Sequence, residues 1–210
     1  MRLNSFIIGA ACFIAAGCGG GGSSSTGPST LSVSVSISPI PSGTSVQAVA
    51  TVTDGSGKMS SATNVTWSTS NKNVASISPS GLITAGIKGT ATISAVSGTL
   101  VGQLNVAVVP GAPASIVIVS GNGQTAGKGS TLPDPLCTAV LDAAGNMITG
   151  VTVTYVVATG GGSLAAPTAP ATDAGGIAIS GHWTLGPGTG QQSVTATTSV
   201  GSTTFTANSQ

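Results

Sequence analysis

The side chains that could do chemistry in this sequence are few enough to weigh one at a time. There is one imidazole, His182, and the acids are four aspartates, Asp54, Asp134, Asp142 and Asp173, with no glutamate. A Ser–His–Asp triad would need His182 beside a serine and Asp142 or Asp173. The sequence has no Gly-x-Ser-x-Gly elbow, and that device also needs a strand–helix junction to present the serine. In Gly181-His182-Trp183-Thr184, strand alternation sends His182 and Trp183 to opposite faces, so a core indole leaves the imidazole in solvent. Asp54, Asp142 and Asp173 each sit in a turn, where a carboxylate bonds nearby backbone N–H groups and does not converge on a cation. The loop Gly121-Asn122-Gly123-Gln124-Thr125-Ala126-Gly127-Lys128-Gly129-Ser130 has the glycines and the lysine of a phosphate loop, but no helix follows to supply a dipole. Asn64-Val65-Thr66 has N-glycosylation spacing, which reads as coincidence.

Composition widens these exclusions. Charged residues make up 4% of the chain, against about 25% in an ordinary soluble domain. Five Lys+Arg against four Asp+Glu give a net charge of +1, too little for a nucleic-acid footprint. A glycosidase built on paired glutamates and a multi-histidine metal centre both lack their residues. The expectation is a non-enzymatic protein with no catalytic residue, no cofactor, no bound metal and no nucleic-acid partner. Solvation falls instead to 30 Ser, 29 Thr and 32 Gly, while 40% apolar residues keep the chain out of the disordered class.

The elements that must position any site are strands. Leu31, Val33, Val35 and Ile37 alternate with serines, the period of a half-buried strand. Further short strands are expected over 46–53, 65–67, 74–77, 82–84, 90–96 and 100–109, separated by turn signals such as Asp54-Gly55-Ser56-Gly57 and Pro79-Ser80-Gly81. Trp67, central in the third of them, is the natural core ring. Seven short strands so spaced describe an immunoglobulin-type Greek-key sandwich over 31–109. Pro110-Gly111-Ala112-Pro113 is a short linker too proline-rich to bend freely. Residues 114–210 repeat the style with strands at 115–119, 136–141, 151–157, 177–185, 192–200 and 203–207, and Trp183 is expected in that core. The fold class is therefore all-β, two tandem sandwiches. Low charge leaves edge protection to proline, glycine and loop cover.

Four blocks in order carry a resemblance to the group 2 bacterial Ig-like family: Val65-Thr66-Trp67-Ser68-Thr69-Ser70-Asn71, Val74-Ala75-Ser76-Ile77-Ser78, Gly81-Leu82-Ile83-Thr84-Ala85 and Lys88-Gly89-Thr90-Ala91-Thr92-Ile93. A second set is similar to the group 1 domains of invasin-like surface proteins, over about 112 to 208. Its carriers are Gly121-Asn122-Gly123-Gln124, Asp142-Ala143-Ala144-Gly145-Asn146, Val151-Thr152-Val153-Thr154-Tyr155, Gly160-Gly161-Gly162-Ser163-Leu164, Thr172-Asp173-Ala174-Gly175-Gly176 and Trp183-Thr184-Leu185-Gly186.

The N-terminus reads as an address. Arg2 precedes an apolar stretch, Phe6 to Ala16, too short to cross a bilayer. Ala15-Ala16-Gly17-Cys18 resembles the lipobox of bacterial lipoproteins, with Ala15 where leucine is usual. That resemblance implies a signal peptide over 1–17 and acylation of Cys18. Residues 18–30 are the lipidated cysteine and a Gly/Ser tether, and the twelve residues Gly19 to Thr30 have a root-mean-square span of about 20 Å. Gly19 after the cysteine implies an outward address, at the outer membrane or cell surface. With Cys12 removed and Cys18 acylated, Cys137 stands alone, so no internal disulfide is expected; its strand could turn it to either face.

The resemblances imply a membrane-held surface spacer or adhesion module, contacting a protein or a glycan. Two other readings stay open: a periplasmic scaffold for an envelope complex, and a carbohydrate-binding module using exposed rings among Trp67, Tyr155, Trp183 and Phe205.

Overall fold

A computed structural model describes residues 29–210, which form eighteen strands and no helix. The expected signal peptide, Cys18 and most of the tether lie outside the described residues. The first nine strands are β1 (Thr30–Val35), β2 (Ile40–Pro41), β3 (Ser45–Thr53), β4 (Met59–Ser61), β5 (Thr66–Thr69), β6 (Ala75–Ile77), β7 (Leu82–Ala85), β8 (Gly89–Ser97) and β9 (Leu100–Val109). They make two sheets, β1-β3-β7-β6 with β4 also on β3, and β2-β9-β8-β5. The next nine are β10 (Pro113–Ser120), β11 (Gln124–Ala126), β12 (Cys137–Asp142), β13 (Thr154–Thr159), β14 (Ser163–Leu164), β15 (Ile177–Ile179), β16 (Trp183–Thr184), β17 (Gly190–Thr198) and β18 (Gly201–Ser209). Their sheets are β10-β12-β15 and β11-β18-β17-β13, with β14 and β16 as a small separate pair. The molecule is two tandem Ig-like sandwiches, each with its own core.

Alternation makes those cores. Ile83, Ile93 and Val106 are fully buried in the first and Trp183, Val194 and Phe205 in the second, while the residues between them face out. Tyr155 leans on Phe205 with ring centroids 6.2 Å apart. Its hydroxyl bonds Thr138 Oγ1 at 2.7 Å and donates to the Ala178 carbonyl at 2.9 Å, so the buried phenol is satisfied.

Both sandwiches share a crossover that alternation alone does not reveal. The opening strand leaves one sheet and its continuation joins the other, running parallel to the last strand: β2 beside β9, and β11 beside β18. The expected first strand therefore stops at Val35, and Ile37 is exposed in the bend before Pro39. The segment 121–130, expected as a loop, contains β11. Gln124 anchors it, donating to the Gly121 and Asp134 carbonyls at 2.7 and 3.0 Å and accepting from Asp134 N–H at 3.0 Å.

Two further expectations shift. Regular pairing in the Val151 to Val157 run starts only at Thr154, because the preceding residues meet an irregular segment. Val153 and Tyr155 donate to the Pro170 and Thr168 carbonyls at 2.9 and 2.8 Å. That segment covers the outer edge of β13 while Pro170, lacking an N–H, offers no donor beyond it. The Ile177 to Leu185 run splits into β15 and β16, as Ser180 turns inward to accept from Leu136 N–H at 3.2 Å and donate to the Gly181 carbonyl at 2.7 Å. Pro113, assigned to the linker, is already the first residue of β10.

The joint between the sandwiches as candidate functional site

The aspartates settle into one recurring device. Asp54, Asp142 and Asp173 each begin a turn in which Oδ1 accepts the N–H groups two and four residues on. The distances are 2.9 and 3.0 Å for Ser56 and Lys58, 2.9 and 2.8 Å for Ala144 and Asn146, and 2.8 and 3.0 Å for Gly175 and Ile177. The fourth residue is glycine each time, with φ of +86°, +82° and +79° at Gly57, Gly145 and Gly176, a region closed to most side chains. These acids fold turns.

Asp142 does more, because its second oxygen is also engaged. Oδ2 accepts the Gly111 N–H at 2.8 Å and the Asn146 Nδ2–H at 2.8 Å. Asn146 in turn accepts, through Oδ1, the N–H of Lys88 at 2.7 Å. Lys88 precedes β8 of the first sandwich, Gly111 lies between the sandwiches, and Asp142 ends β12 of the second. A relay of side chains thus joins three backbone segments. Both linking residues are buried. A Cβ on Gly111 would sit 2.5 Å from the Ser42 carbonyl oxygen, so only glycine fits between Ser42 and Asp142. Burial pushes the Asp142 carboxyl pKa up, but the hydrogen bonds from Asn146, Gly111 and Ala144 outweigh it and hold the net value below 3.8. A carboxylate accepting four such bonds stays ionised although it is enclosed.

The remaining candidates do not assemble. His182 is exposed, as expected beside the fully buried Trp183, and its Nδ1 sits 3.0 Å from the Leu132 carbonyl oxygen. Among the described residues no three His, Cys, Asp or Glu side chains gather to hold a metal ion. Trp183, Tyr155 and Phe205 are all buried. Trp67 departs from its assignment as a central core ring: it is half-buried, packed on the first core by one side. With Gln47, Val49, Ala62, Val65 and Pro79 it borders a surface depression of about 350 Å³. The cause is the break in pairing along β3, which meets β7 over Ser45–Gln47 and β4 over Thr51–Thr53 and leaves a gap between them.

The joint escaped the reading of single residues, yet a signal was present. The spacing Asp-x-x-Gly-x occurs three times, and only in the copy next to the linker is the last residue an asparagine, with both a donor and an acceptor to bridge with.

Against known proteins, the first sandwich finds a family. Residues 31–108 match the bacterial Ig-like domain (group 2). The sandwich so matched is the one that gives Lys88 to the joint. Among solved structures, the chain is similar to the Escherichia coli adhesin FdeC, at 20% identity and a TM-score of 0.50 over 87% of this chain and 65% of that one. The D00-D0 domain of intimin aligns at 13% identity and a TM-score of 0.49, covering 85% and 96%. Domains 1–6 of the surface layer protein SbsC align at 15% and 0.41, covering 85% and 27%. The chain thus spans about a quarter of that SbsC structure and just under two thirds of FdeC. The FdeC likeness is one of fold. No curated protein matches the sequence significantly.

Proposed function

We propose that this protein is a non-enzymatic lipoprotein of a bacterial envelope, anchored through Cys18, whose two Ig-like sandwiches act as a surface spacer and binding module. The observation that carries the reading is the joint. A catalytic protein spends its few buried polar groups on a pocket, whereas this one spends Asp142 and Asn146 on tying one sandwich to the next. That serves a protein whose job is to hold a tip at a set distance and direction. In this reading the second sandwich is of the invasin-like group 1 type, a resemblance carried in part by Asp142-Ala143-Ala144-Gly145-Asn146, the turn that builds the joint. FdeC, described as an adhesin, gives the reading its direction toward contact with a protein or glycan outside the cell.

Cys18→Ser should abolish palmitate labelling and release the protein from membranes; unchanged labelling and fractionation would overturn the anchor. An epitope tag after Gln210 should be reached by antibody on intact cells. Labelling only after permeabilisation would move the protein to the periplasm and replace the spacer with the envelope scaffold. The carbohydrate-binding reading is left with one partly exposed ring, Trp67, since the other three are buried.

A further inference from the structure

The depression beside Trp67 carries polar groups that the fold has left over. Where β3 has parted from β7 and not yet met β4, Gln47 fills the missing rung with its side chain. Its Nε2 donates to the Ala48 and Ser80 carbonyls at 3.0 and 2.8 Å, and its Oε1 has no donor among the described residues. On the same edge the Ala50 carbonyl accepts the Ala62 N–H at 3.0 Å. The return bond from Ala50 N–H, which a continuing ladder would make, is missing because the pairing frays there. Through this opening solvent reaches the indole of Trp67, carried on β5 of the other sheet. Gly81 makes the room, since a Cβ there would stand 2.9 Å from Gln47 Nε2 and 3.1 Å from the indole. No charged residue lines the depression, and its volume of about 350 Å³ lies at the small end of ligand pockets, about 300–1,000 Å³. That is room for one sugar ring and not for a run of them.

We propose that the depression is a glycan site that takes one neutral N-acetylated sugar unit against Trp67. The inference rests on the binding-module reading above and gives that module a ligand class. The indole offers an apolar surface to the C–H side of a pyranose ring. Ala50 N–H and Gln47 Oε1 are one donor and one acceptor without partners in the fold, and an acetamido group is their complement. Its carbonyl accepts, its N–H donates, and its methyl has Val49 and Val65 to pack on. A hydrocarbon group would strip water from both and return nothing. A uronate or a phosphate would lose hydration with no cation in the depression to compensate. One ring with two hydrogen bonds gives a dissociation constant on the order of 1 mM. Affinity rises when several copies of the protein on one membrane engage one glycan chain.

The test is saturation-transfer NMR on the purified full chain, tagged after Gln210, with the trisaccharide of N-acetylglucosamine as probe. The acetamido methyl should take up the most saturation. Cellotriose, which has a hydroxyl in place of each acetamido group, should bind about tenfold more weakly. Trp67→Phe and Val49→Lys, the second at an exposed rim position, should each weaken binding about tenfold at an unchanged melting temperature. If Trp67→Phe lowers that temperature, Val49→Lys alone decides. Val101→Lys, exposed on β9 of the opposite sheet, should bind as the parent does. No saturation transfer, equal binding of the two trisaccharides, an equal loss in Val101→Lys, or tighter binding of a tyrosine peptide that Val49→Lys abolishes would each overturn the site. The titration is independent of palmitate labelling and of antibody access on cells, so its failure removes this ligand and leaves the anchored spacer standing.

Discussion

Asp142 tests what one carboxylate contributes. Asp142→Ala leaves the buried N–H of Asn146 and the partly buried N–H groups of Gly111 and Ala144 without their acceptor, a loss of about 3 kcal/mol. The same change at exposed Asp173 should cost clearly less; denaturant unfolding of the two variants measures the difference. Because the Asp142 pKa is lowered on folding, its stabilisation is in place above its unfolded value near 3.8. It is lost as pH falls through the lower folded value. Acid melts should therefore show a decline below about pH 3.8 that Asp142→Asn flattens. Tyr155 has the opposite profile. Burial raises its pKa above 10.0, so the fold favours the neutral phenol. Stability is full below pH 10 and declines above it as the unfolded chain ionises. Tyr155→Phe should remove that alkaline decline, read from melting temperature against pH, while costing about 1 kcal/mol at neutral pH for the lost hydroxyl bonds.

Among the elements, close backbone approaches decide more than strand propensity does. A Cβ on Gly186 would collide with the Gly160 carbonyl oxygen, whereas one on Gly188 meets nothing within 4 Å. Gly186→Ala should cost several kcal/mol and Gly188→Ala should stay within about 0.5 kcal/mol, measured by thermal or urea unfolding of the pair. The Gly160 backbone makes the contrast, and buried Gln192 holds both glycines in place. Its Oε1 accepts the Gly186 N–H at 2.8 Å and its Nε2 donates to the Gly188 carbonyl at 3.0 Å, pinning this loop to β17. This is also where the legibility of the sequence ends. Long alternating runs such as Thr90 to Val96 and Leu100 to Val109 announced β8 and β9, because each strand has one buried and one wet face. The two-residue β2 and three-residue β4 and β11 carry too few positions to show a period and exist through long-range pairing. The edge cover on β13 was foreseen in kind, as proline and loop, but Pro170 could not be placed without the fold. The candidate site was legible as turns; the bridge from Asn146 to Lys88, 58 positions apart, was not.

For the whole molecule, the relay through Asp142 and Asn146 should set how the sandwiches are held together. Asn146→Ala removes the acceptor for Lys88 N–H but touches neither core. Small-angle scattering should show a broader spread of inter-sandwich arrangements with little change in either sandwich's unfolding. An unchanged profile would show that Gly111 and the linker prolines suffice.

The crossover of each opening strand has a mechanical consequence. Because β2 runs parallel to β9 and β11 parallel to β18, a load applied between Ser29 and Gln210 pulls the two members of each pair past one another. Bonds sheared along the pull must fail together, unlike a hairpin opened one rung at a time. The first sandwich has two paired residues in that clamp, Ile40 with Val108 and Pro41 with Val109, extended by one bond of 2.8 Å from the Ser42 amide to the Val109 carbonyl. The second has three, Gln124 to Ala126 against Ala207 to Ser209, extended by mutual bonds of 3.0 Å that Gln210 makes through its amide with Ala126 and through its carbonyl with Lys128. Under tension the first sandwich should yield at the lower force, giving way like a fuse while the second keeps its shape.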